Sequence, residues 1–291
     1  MLKVVEKKKI WFSISAIIIA IGLIAMFAKG LNFGIDFEGG TNIILKFDEE
    51  YNKEEVDSIV KGFASDAVTN TAENNEYEIK SKNFESKDVS KLVEELKKKY
   101  KMPENAIVSQ EEIGASVGKE LRVNSLKALA IAFVAMLIYI AVRFEFKFGV
   151  IALIALAHDL LITISVFAVF GISINSPFIA AVLTIVGYSI NATIVIFDRI
   201  RENLKLSGRT SAAEVANKSV TQTMARSINT TLTTLFTIVA VYIFVPTVRG
   251  FSFPIIIGIV SGLFSSVFIA PSLWVLVTET VSYTHLTLPT T

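Results

Sequence analysis

Six long apolar runs constrain this 291-residue chain more than any other feature of its sequence. A helix that crosses about 30 Å of bilayer hydrocarbon needs about 20 mostly apolar residues. Runs of that kind cover residues 10–28, 124–142, 148–170, 178–197, 227–245 and 251–277. The sequence therefore predicts a polytopic α-helical membrane protein with six transmembrane helices. The first is expected to be an uncleaved anchor, because no small-residue cleavage site follows it.

Polar residues are gathered between the first two runs. The whole chain is 52% hydrophobic and 19% charged, whereas soluble domains carry about 25% charged residues. Residues 32–122 hold 20 acidic and 13 basic side chains, a local net charge of −7 within a total of +1. This balance favours a water-facing acidic domain on a membrane protein surrounded by lipid, and gives no reason to expect nucleic-acid binding. The lack of cysteine excludes disulfides and thiolate catalysis.

The basic residues of the short connections predict the orientation of the helices. Lysines before the first run, the turn at 143–147 and the polar segment 198–226 all fall on one side, which the positive-inside rule makes cytoplasmic. We therefore expect a cytoplasmic N-terminus with the first helix (1–29), an extracytoplasmic domain (30–123), and five further helices (124–279) with a cytoplasmic loop at 198–226. We interpret residues 280–291 as an atypical or non-native tail, and His285 within it is assigned no function.

The extracytoplasmic segment has the pattern of a small α+β domain. Residues 41–47 alternate apolar side chains as a half-buried strand does, and 76–80 and 106–108 suggest further strands. Asn52 and Glu55 resemble a capping box ahead of a helix, and 89–100 carries a second helical stripe. The order β-α-β-β-α or β-α-β-α-β suits a ferredoxin-like, two-layer domain.

A glycine motif begins this domain: Gly34, Asp36, Gly39 and Gly40 lie within residues 34–40. Glycine permits positive φ and close backbone approach, so a structural turn is favoured over a binding loop. The motif is not a phosphate cradle, because no Lys-Ser/Thr pair follows it and no helix is expected to begin on it.

His158 and Asp159 lie in the middle of the third apolar run. A carboxylate there costs about 2.5–3.5 kcal/mol on insertion scales unless it is paired, which makes it a functional candidate. The alternative is a satisfied hydrogen bond between helices. A metal site is not expected, because His158 is the only histidine in the predicted membrane region. A protease dyad is disfavoured too, since adjacent helical residues point about 100° apart.

Polar and small residues mark the fourth and fifth runs. Some would allow close helix packing or polar contacts inside the membrane, and others fall at the cytoplasmic boundary, where a solvated helix end is the simpler interpretation. The first kind comprises Gly187, Tyr188, Ser189 and Asn191; the second comprises Asp198, Arg199, Arg201 and Arg226. Arg226 precedes a hydroxyl-rich stretch, 227–234, that should face the helix bundle or a hydrated path.

In this order, these motifs resemble the SecF family, the smaller membrane subunits of the SecD–SecF protein-export complex in the RND superfamily. The segments that carry the resemblance are 34–40, 117–121, 158–159, 186–202 and 226–230. It implies a non-enzymatic accessory subunit of the translocase in a bacterial cell membrane, without a cofactor. Its expected partners are a SecD-like subunit, the protein-export channel and unfolded preprotein. The family is thought to use a proton or sodium gradient to move its outer domains.

One residue departs from the family pattern. Many relatives have Asn-Asp in the fourth helix, where this chain has Asn191 and Ala192. A methyl group carries no proton, so Asp159, a carboxylate of the SecD-like partner, or sodium held by Asn191, Ser189 and Thr193 would have to serve. Arg226 matches an arginine of the family's ion pathway. The runner-up function is a half-size RND exporter of lipids or small hydrophobic molecules.

Overall fold

A computed structural model describes residues 1–72, 75–84, 86–143, 146–206, 208 and 210–287. Its described residues form two compact units. The first contains Met1–Asn32, Ala128–Ile172 and the chain from Pro177 on, and the second contains Phe33–Lys127 with Ser173–Ser176.

In chain order the elements are α1 (Lys8–Lys29), α2 (Ile35–Glu38), β1 (Gly40–Lys46), α3 (Lys53–Phe63), β2 (Val68–Ala72), β3 (Glu76–Ser81), α4 (Ser86–Lys99), β4 (Ile107–Ile113), α5 (Ala115–Arg143), α6 (Phe146–Phe170), α7 (Ser176–Leu206), α8 (Ala212–Phe244), α9 (Arg249–Phe264) and α10 (Ala270–Thr287).

Six helical segments in the described part of the chain are long and apolar enough to cross a membrane, as the sequence predicted. They are Val5–Lys29, Ala115–Ile140, Phe146–Phe170, Ser176–Leu206, Ala212–Phe244 and Pro246–Glu279. Two of them extend well into the segment 198–226, which is largely helical because α7 continues to Leu206 and α8 begins at Ala212. Ser211 caps α8 by accepting the N–H of Glu214.

The last membrane segment changes its helical form halfway. Residues Ser265–Ile269 form a π-helical turn between α9 and α10, and the N–H of Ala270 donates to the carbonyl of Ser265. Pro271 follows this turn and has no N–H to continue the α-helical ladder, which gives a physical reason for the irregularity here. The backbone of the predicted tail is helical to Thr287; its side chains and residues 288–291 lie outside the described residues.

The α+β unit is a four-stranded antiparallel sheet in the order β2-β3-β1-β4, with α3 and α4 as its long helices. This βαββαβ order is the ferredoxin-like arrangement, so the predicted fold class is confirmed. Asn52 caps α3 by accepting the N–H of Glu54 at 3.0 Å. The core lies between the helices and one sheet face. Its buried residues include Ile43, Leu45, Phe47, Val56, Val60, Tyr77, Ile79, Leu92 and Leu96.

Candidate functional site

Asp159 of α6 is completely buried among helices of the first unit, and three serines donate to its carboxylate. Ser189 of α7 lies 2.5 Å from Oδ2, and Ser265 of the π-helical turn lies 2.8 Å from the same oxygen. Ser261 of α9 lies 2.7 Å from Oδ1. Because a buried carboxylate is costly unless hydrogen bonds satisfy it, this three-serine cradle explains how an acidic side chain is tolerated at membrane depth.

His158 extends the cluster to α1. Its Nδ1 lies 3.0 Å from Oδ1 of Asp159, and its Nε2 lies 2.8 Å from Oγ of Ser15. The imidazole also stacks on Phe264 with ring centroids 6.2 Å apart. A hydrogen-bonded chain therefore runs from Ser15 through His158 to Asp159. We call Ser15, His158, Asp159, Ser189, Ser261 and Ser265 the carboxylate cluster.

An apolar groove of about 380 Å³ runs beside this cluster, between side chains of α1, α6 and α9. Ser15, His158 and Ser261 supply its polar positions, whereas Asp159 itself does not line it. Two groove residues bond directly to the carboxylate: His158, with 10% of its side chain exposed, and Ser261.

Small residues allow the helices to approach closely enough to form the cluster. A Cβ added to Gly22 of α1 would lie 2.1 Å from the side chain of Ser165 in α6. A Cβ on Gly258 would lie 2.4 Å from Ile185, and one on Gly262 would lie 3.3 Å from Cβ of Ser189. Close contacts at small residues are a common means of helix association in membranes. They place α9 against α7 and α1 against α6, so that serines of three helical segments and His158 reach one another.

The cluster can respond chemically to the charge on Asp159. An ionised carboxylate only accepts, so all three serines and His158 can point donors at it. A protonated carboxyl must donate its own proton, so at least one neighbour has to become an acceptor. Serine hydroxyls rotate and histidine exchanges tautomers, so a change of charge on Asp159 would rearrange the hydrogen bonds that join these helical segments.

The structure brings together only part of the predicted ion pathway. His158, Asp159 and Ser189 meet in the carboxylate cluster, but Asn191 and Arg226 are exposed on the first unit. Thr193 contacts Ser266 at 2.8 Å instead of pointing toward Ser189. The three oxygens considered for sodium therefore do not converge in this conformation.

The residues predicted for helix packing or for the cytoplasmic boundary lie on α7, and two of them contact α8. The hydroxyl of Tyr188 lies 3.1 Å from that of Thr231. Arg199 donates to Gln222 at 2.7 Å and to Glu202 at 2.6 Å. Gly187 and Asp198 are exposed, and Arg201 is half-buried. The contacts of Tyr188 and Arg199 join neighbouring residues of these two helices and do not reach the carboxylate cluster.

The glycine motif is a tight turn in the second unit. Gly39 and Gly40 have φ of +81° and +131°. A Cβ on Gly39 would lie 2.8 Å from the backbone of Ala115, and one on Gly40 would lie 2.4 Å from the carbonyl of Ser81. Both positions thus require glycine for backbone angle and for space. The expectation that no helix begins on the motif is wrong, because Ile35–Glu38 form the single helical turn α2, which includes Asp36.

Two carboxylates stabilise the α+β unit. Asp57 accepts from Thr69 at 2.6 Å and from the hydroxyl of Tyr77. Burial acts to raise the pKa of Asp57, but these hydrogen bonds and nearby lysines outweigh it and hold that pKa below the ordinary value. Asp66 behaves alike: burial opposes ionisation, while bonds from Ser81 and the N–H of Lys82 lower its pKa. The pKa of Tyr77 is raised, mainly by burial and secondly by its hydrogen bond to Asp57.

Sequence reasoning missed Ser15, Ser261 and Ser265. A signal for two of them was present, since Gly258 and Gly262, like Ser261 and Ser265, repeat small residues four positions apart on the last membrane segment. Such spacing indicates a close helix contact. Across the described part of the chain, no group of three or more His, Asp or Glu is placed to hold a metal ion.

The fold and the cluster together define a class of protein: a six-helix membrane protein with a buried, protonatable carboxylate and a ferredoxin-like domain after its first helix. Residues 92–280 match the family described as protein export membrane protein SecD/SecF, C-terminal, and residues 24–50 match the SecD/SecF GG motif. The chain belongs to the SecD/SecF family of protein-export membrane proteins.

Individual relatives agree with this assignment. Protein translocase subunit SecF of Sebaldella termitidis is 39% identical, over 94% of this chain and 90% of that protein. Protein translocase subunit SecDF of Bacillus subtilis is 33% identical, over 92% of this chain and 37% of that protein. The crystal structure of SecDF from Thermus thermophilus superimposes with a TM-score of 0.86 at 32% identity, over 96% of this chain and 39% of that one. This chain is thus similar to about two fifths of the fused proteins.

Proposed function

We propose that this chain is an accessory subunit of protein export that couples an ion gradient to movement of its α+β domain. The accessory role in export follows from its relationship to translocase subunits named SecF and SecDF. The coupling, and the promotion of late preprotein movement, are our proposal. The runner-up, a half-size exporter of lipids or small hydrophobic molecules, is not favoured, because the matching relatives are named for protein translocation. The names of these relatives describe a transport subunit and not an enzyme.

The observation that carries the proposal is the three-serine cradle around Asp159. A carboxylate that is completely buried in a membrane helix, and bonded across three helical segments, can change their packing when it gains or loses a proton. Asp159 thereby supplies the titratable group that Ala192 lacks. His158 is the proposed route for the proton, since it joins Asp159 to Ser15 beside the groove.

The proposed partner is a SecD-like subunit bound to the polar membrane face of α7 and α8. Polar side chains that would be costly against lipid are exposed there; they include Asn191, Arg226 and Asn229. A second set of membrane helices would cover this face, as the fused SecDF relatives suggest. Arg226 would then lie near that partner's carboxylates and take part in the ion pathway together with Asp159.

The proposed location is a bacterial inner or plasma membrane with the N-terminus in the cytoplasm. The basic residues of the short connections support this orientation, which puts the acidic α+β unit outside. There it would move next to unfolded preprotein leaving the export channel.

Substitution of Asp159 tests the function. We expect Asp159→Asn to remove gradient-dependent export while the assembly still forms, because the amide keeps the shape but cannot exchange a proton. Asp198→Asn is the matched control, since Asp198 is exposed on α7 and outside the cluster. Export is measured as preprotein protected inside inverted membrane vesicles, with and without an ion gradient. Normal gradient-dependent export by Asp159→Asn would contradict the proposal.

Purification of the assembly tests the partner. We expect a SecD-like subunit to be recovered with this chain in about equal amount. A homotrimer of this chain with bound lipid would favour the exporter instead.

A further inference from the structure

Segment 33–36, which leads into the glycine motif, is fastened to the connection between α6 and α7. Gly34 donates its N–H to the carbonyl of Ile174 at 2.7 Å, and Phe33 pairs with Ile174 in a parallel bridge. Oδ2 of Asp36 accepts the N–H of Ser176, also at 2.7 Å. We call residues 33–36 and 174–176 the clasp. All of its contacts lie within the second compact unit.

The clasp lies on the connection that joins the two helices of the carboxylate cluster. α6 carries Asp159 and ends at Phe170, and α7 begins at Ser176 and carries Ser189. Ser189 lies about 20 Å along α7 from Ser176, at 1.5 Å per residue. The bond from Ser189 to Asp159 therefore joins α6 and α7 within the membrane, and the clasp holds the connection between their ends. A shift of α7 along its axis would move Ser176, whose N–H is bound to Asp36.

The other side of the clasp is rigid. Gly39 and Gly40 are pressed against the backbone of Ala115 and the carbonyl of Ser81, without space for a Cβ. Gly40 is already the first residue of β1, which lies inside the four-stranded sheet. A displacement received by Asp36 therefore cannot be absorbed easily by the motif, and it passes to the sheet.

Asp36 and Glu38 have different partners although they share one helical turn. The carboxylate of Glu38 pairs with Lys82, just after β3, and so stays within the α+β fold. Of the two carboxylates, that of Asp36 accepts the N–H of Ser176, the first residue of α7. Glu38 is for this reason a matched control: it is an acidic residue of the same motif that does not contact the α6–α7 connection in the described contacts.

We propose that Asp36 is a positioning residue that transmits changes at Asp159 to the α+β unit. The inference rests on the proposed function, because it takes Asp159 to be the group whose charge changes. When that charge is lost, the bond from Ser189 rearranges and α7 moves relative to α6. Asp36 follows the N–H of Ser176 and carries β1 with it. Coupling of this kind needs a physical connection whose position both sites influence. Here that connection is α7, which is bonded to Asp36 through Ser176 and to Asp159 through Ser189.

Hydrogen exchange in the full-length assembly tests this coupling. The measurement compares native Asp159 with Asp159→Asn, which stands for the uncharged carboxyl, and follows amides of β1 beyond the clasp. We expect the substitution to change their exchange at least about fivefold when Asp36 is native. The change should fall below about twofold with Asp36→Ala. Asp36→Asn should restore it, because the amide oxygen can accept the same N–H.

A control variant and a measurement of folding complete the test. Glu38→Gln should leave the effect of Asp159→Asn on β1 intact, and protection of α3 and α4 shows that each variant keeps the α+β unit folded. Equal exchange with native Asp159 and Asp159→Asn would overturn the coupling, and an unchanged effect in Asp36→Ala would overturn the role of Asp36. Export measured in parallel separates the two ideas, since normal export by Asp159→Asn contradicts the proposed function even if β1 responds.

Discussion

Ser189 of α7 donates to the carboxylate of Asp159 in α6 across 2.5 Å, and both residues are completely buried. Hydrogen bonds to an ionised acceptor are shorter than those between neutral groups and contribute about 1.5–3 kcal/mol. In the proposed function, the packing of these two helices depends on the charge of this one side chain. That dependence is a physical basis for ion coupling, because an ion gradient can do work only through a group whose two states favour different structures.

Loss of single donors should weaken this dependence. We expect Ser189→Ala to slow gradient-dependent export about tenfold, corresponding to about 1.4 kcal/mol in the barrier, while the protein still assembles. Ser265→Ala should have a similar effect, since Ser265 bonds to the same oxygen at 2.8 Å. Vesicle export assays with equal amounts of each variant check this.

A serine outside the cluster controls for the loss of a buried hydroxyl. Ser272 is also completely buried, but its hydroxyl donates to the carbonyl of Phe268 in its own helical segment. Ser272→Ala should export normally. If Ser189→Ala and Ser265→Ala also export normally, Asp159 does not act through these bonds.

Arg226 is exposed on the polar membrane face of α8. We expect Arg226→Met to slow export about tenfold without loss of assembly, because methionine keeps an apolar side chain of similar reach but cannot attract a carboxylate or an ion. Lys218→Met is the matched control, since Lys218 is an exposed cation two turns earlier on the same helix. Quantified export and recovery of the assembly are the two measurements. Unchanged export by Arg226→Met would remove it from the ion pathway.

The candidate site could be predicted only in part. Adjacent His158 and Asp159 are visible in sequence because charge is rare inside a membrane helix. Two partners of Asp159 are not, since Ser261 and Ser265 lie 102 and 106 residues away along the chain. Serine is common in membrane helices and carries no signal of its own. The pairing is set by which helices pack together, and that depends on contacts such as Gly22 with Ser165 that no local pattern specifies.

The fold could be predicted more fully, because length and periodicity are local properties. Membrane helices can be recognised by the length of their apolar runs, and β1, α3 and α4 by the periodic spacing of their apolar residues. The strand β2 was missed, since its sequence, Val68–Ala72, is mostly polar and lies at the sheet edge with Val68 half exposed. The observed order, βαββαβ, contains β2 and so agrees with the first of the two element orders that the sequence left open, extended by β4 after α4.

Contact between α1 and α6 offers a test of packing inside the membrane. Gly22 lies so close to Ser165 that an added Cβ would be 2.1 Å from that side chain. We expect Gly22→Ala to destabilise the protein by about 1–3 kcal/mol, as overpacking of a core does, and to disturb the bond from His158 to Ser15. Thermal unfolding of the purified protein measures the loss.

A second substitution can relieve part of the same clash. The double variant Gly22→Ala/Ser165→Gly should recover only part of the lost stability, because it removes the serine side chain but leaves the new methyl 2.6 Å from the Cα of residue 165. Equal stability of Gly22→Ala and the unchanged protein would show that α1 and α6 separate at this point.

Acid should destabilise the α+β unit through Asp57. The pKa of this carboxyl is lower in the folded unit than in the unfolded chain, where it is about 3.9. A lowered pKa means that the folded state binds its proton less readily, so the contribution of Asp57 is complete above about pH 5. It is lost as pH falls through the folded pKa. The bonds from Thr69 and Tyr77 are the groups that favour the ionised form.

Asp57→Asn should therefore lower the unfolding temperature of the α+β unit at pH 7 by about 5 °C, the shift that about 1 kcal/mol produces in a domain of this size. It should also flatten the decline as pH falls below about 5, because the group that loses its charge there is gone. Hydrogen-exchange protection of α3 and α4 in the full-length protein, followed with temperature, reports on unfolding of this unit. Asp88→Asn is the control, since Asp88 forms only a surface ion pair with Lys91 at 3.4 Å, and such pairs contribute little. An equally steep acid decline in Asp57→Asn would place the responsible carboxylate elsewhere, with Asp66 as the next to test.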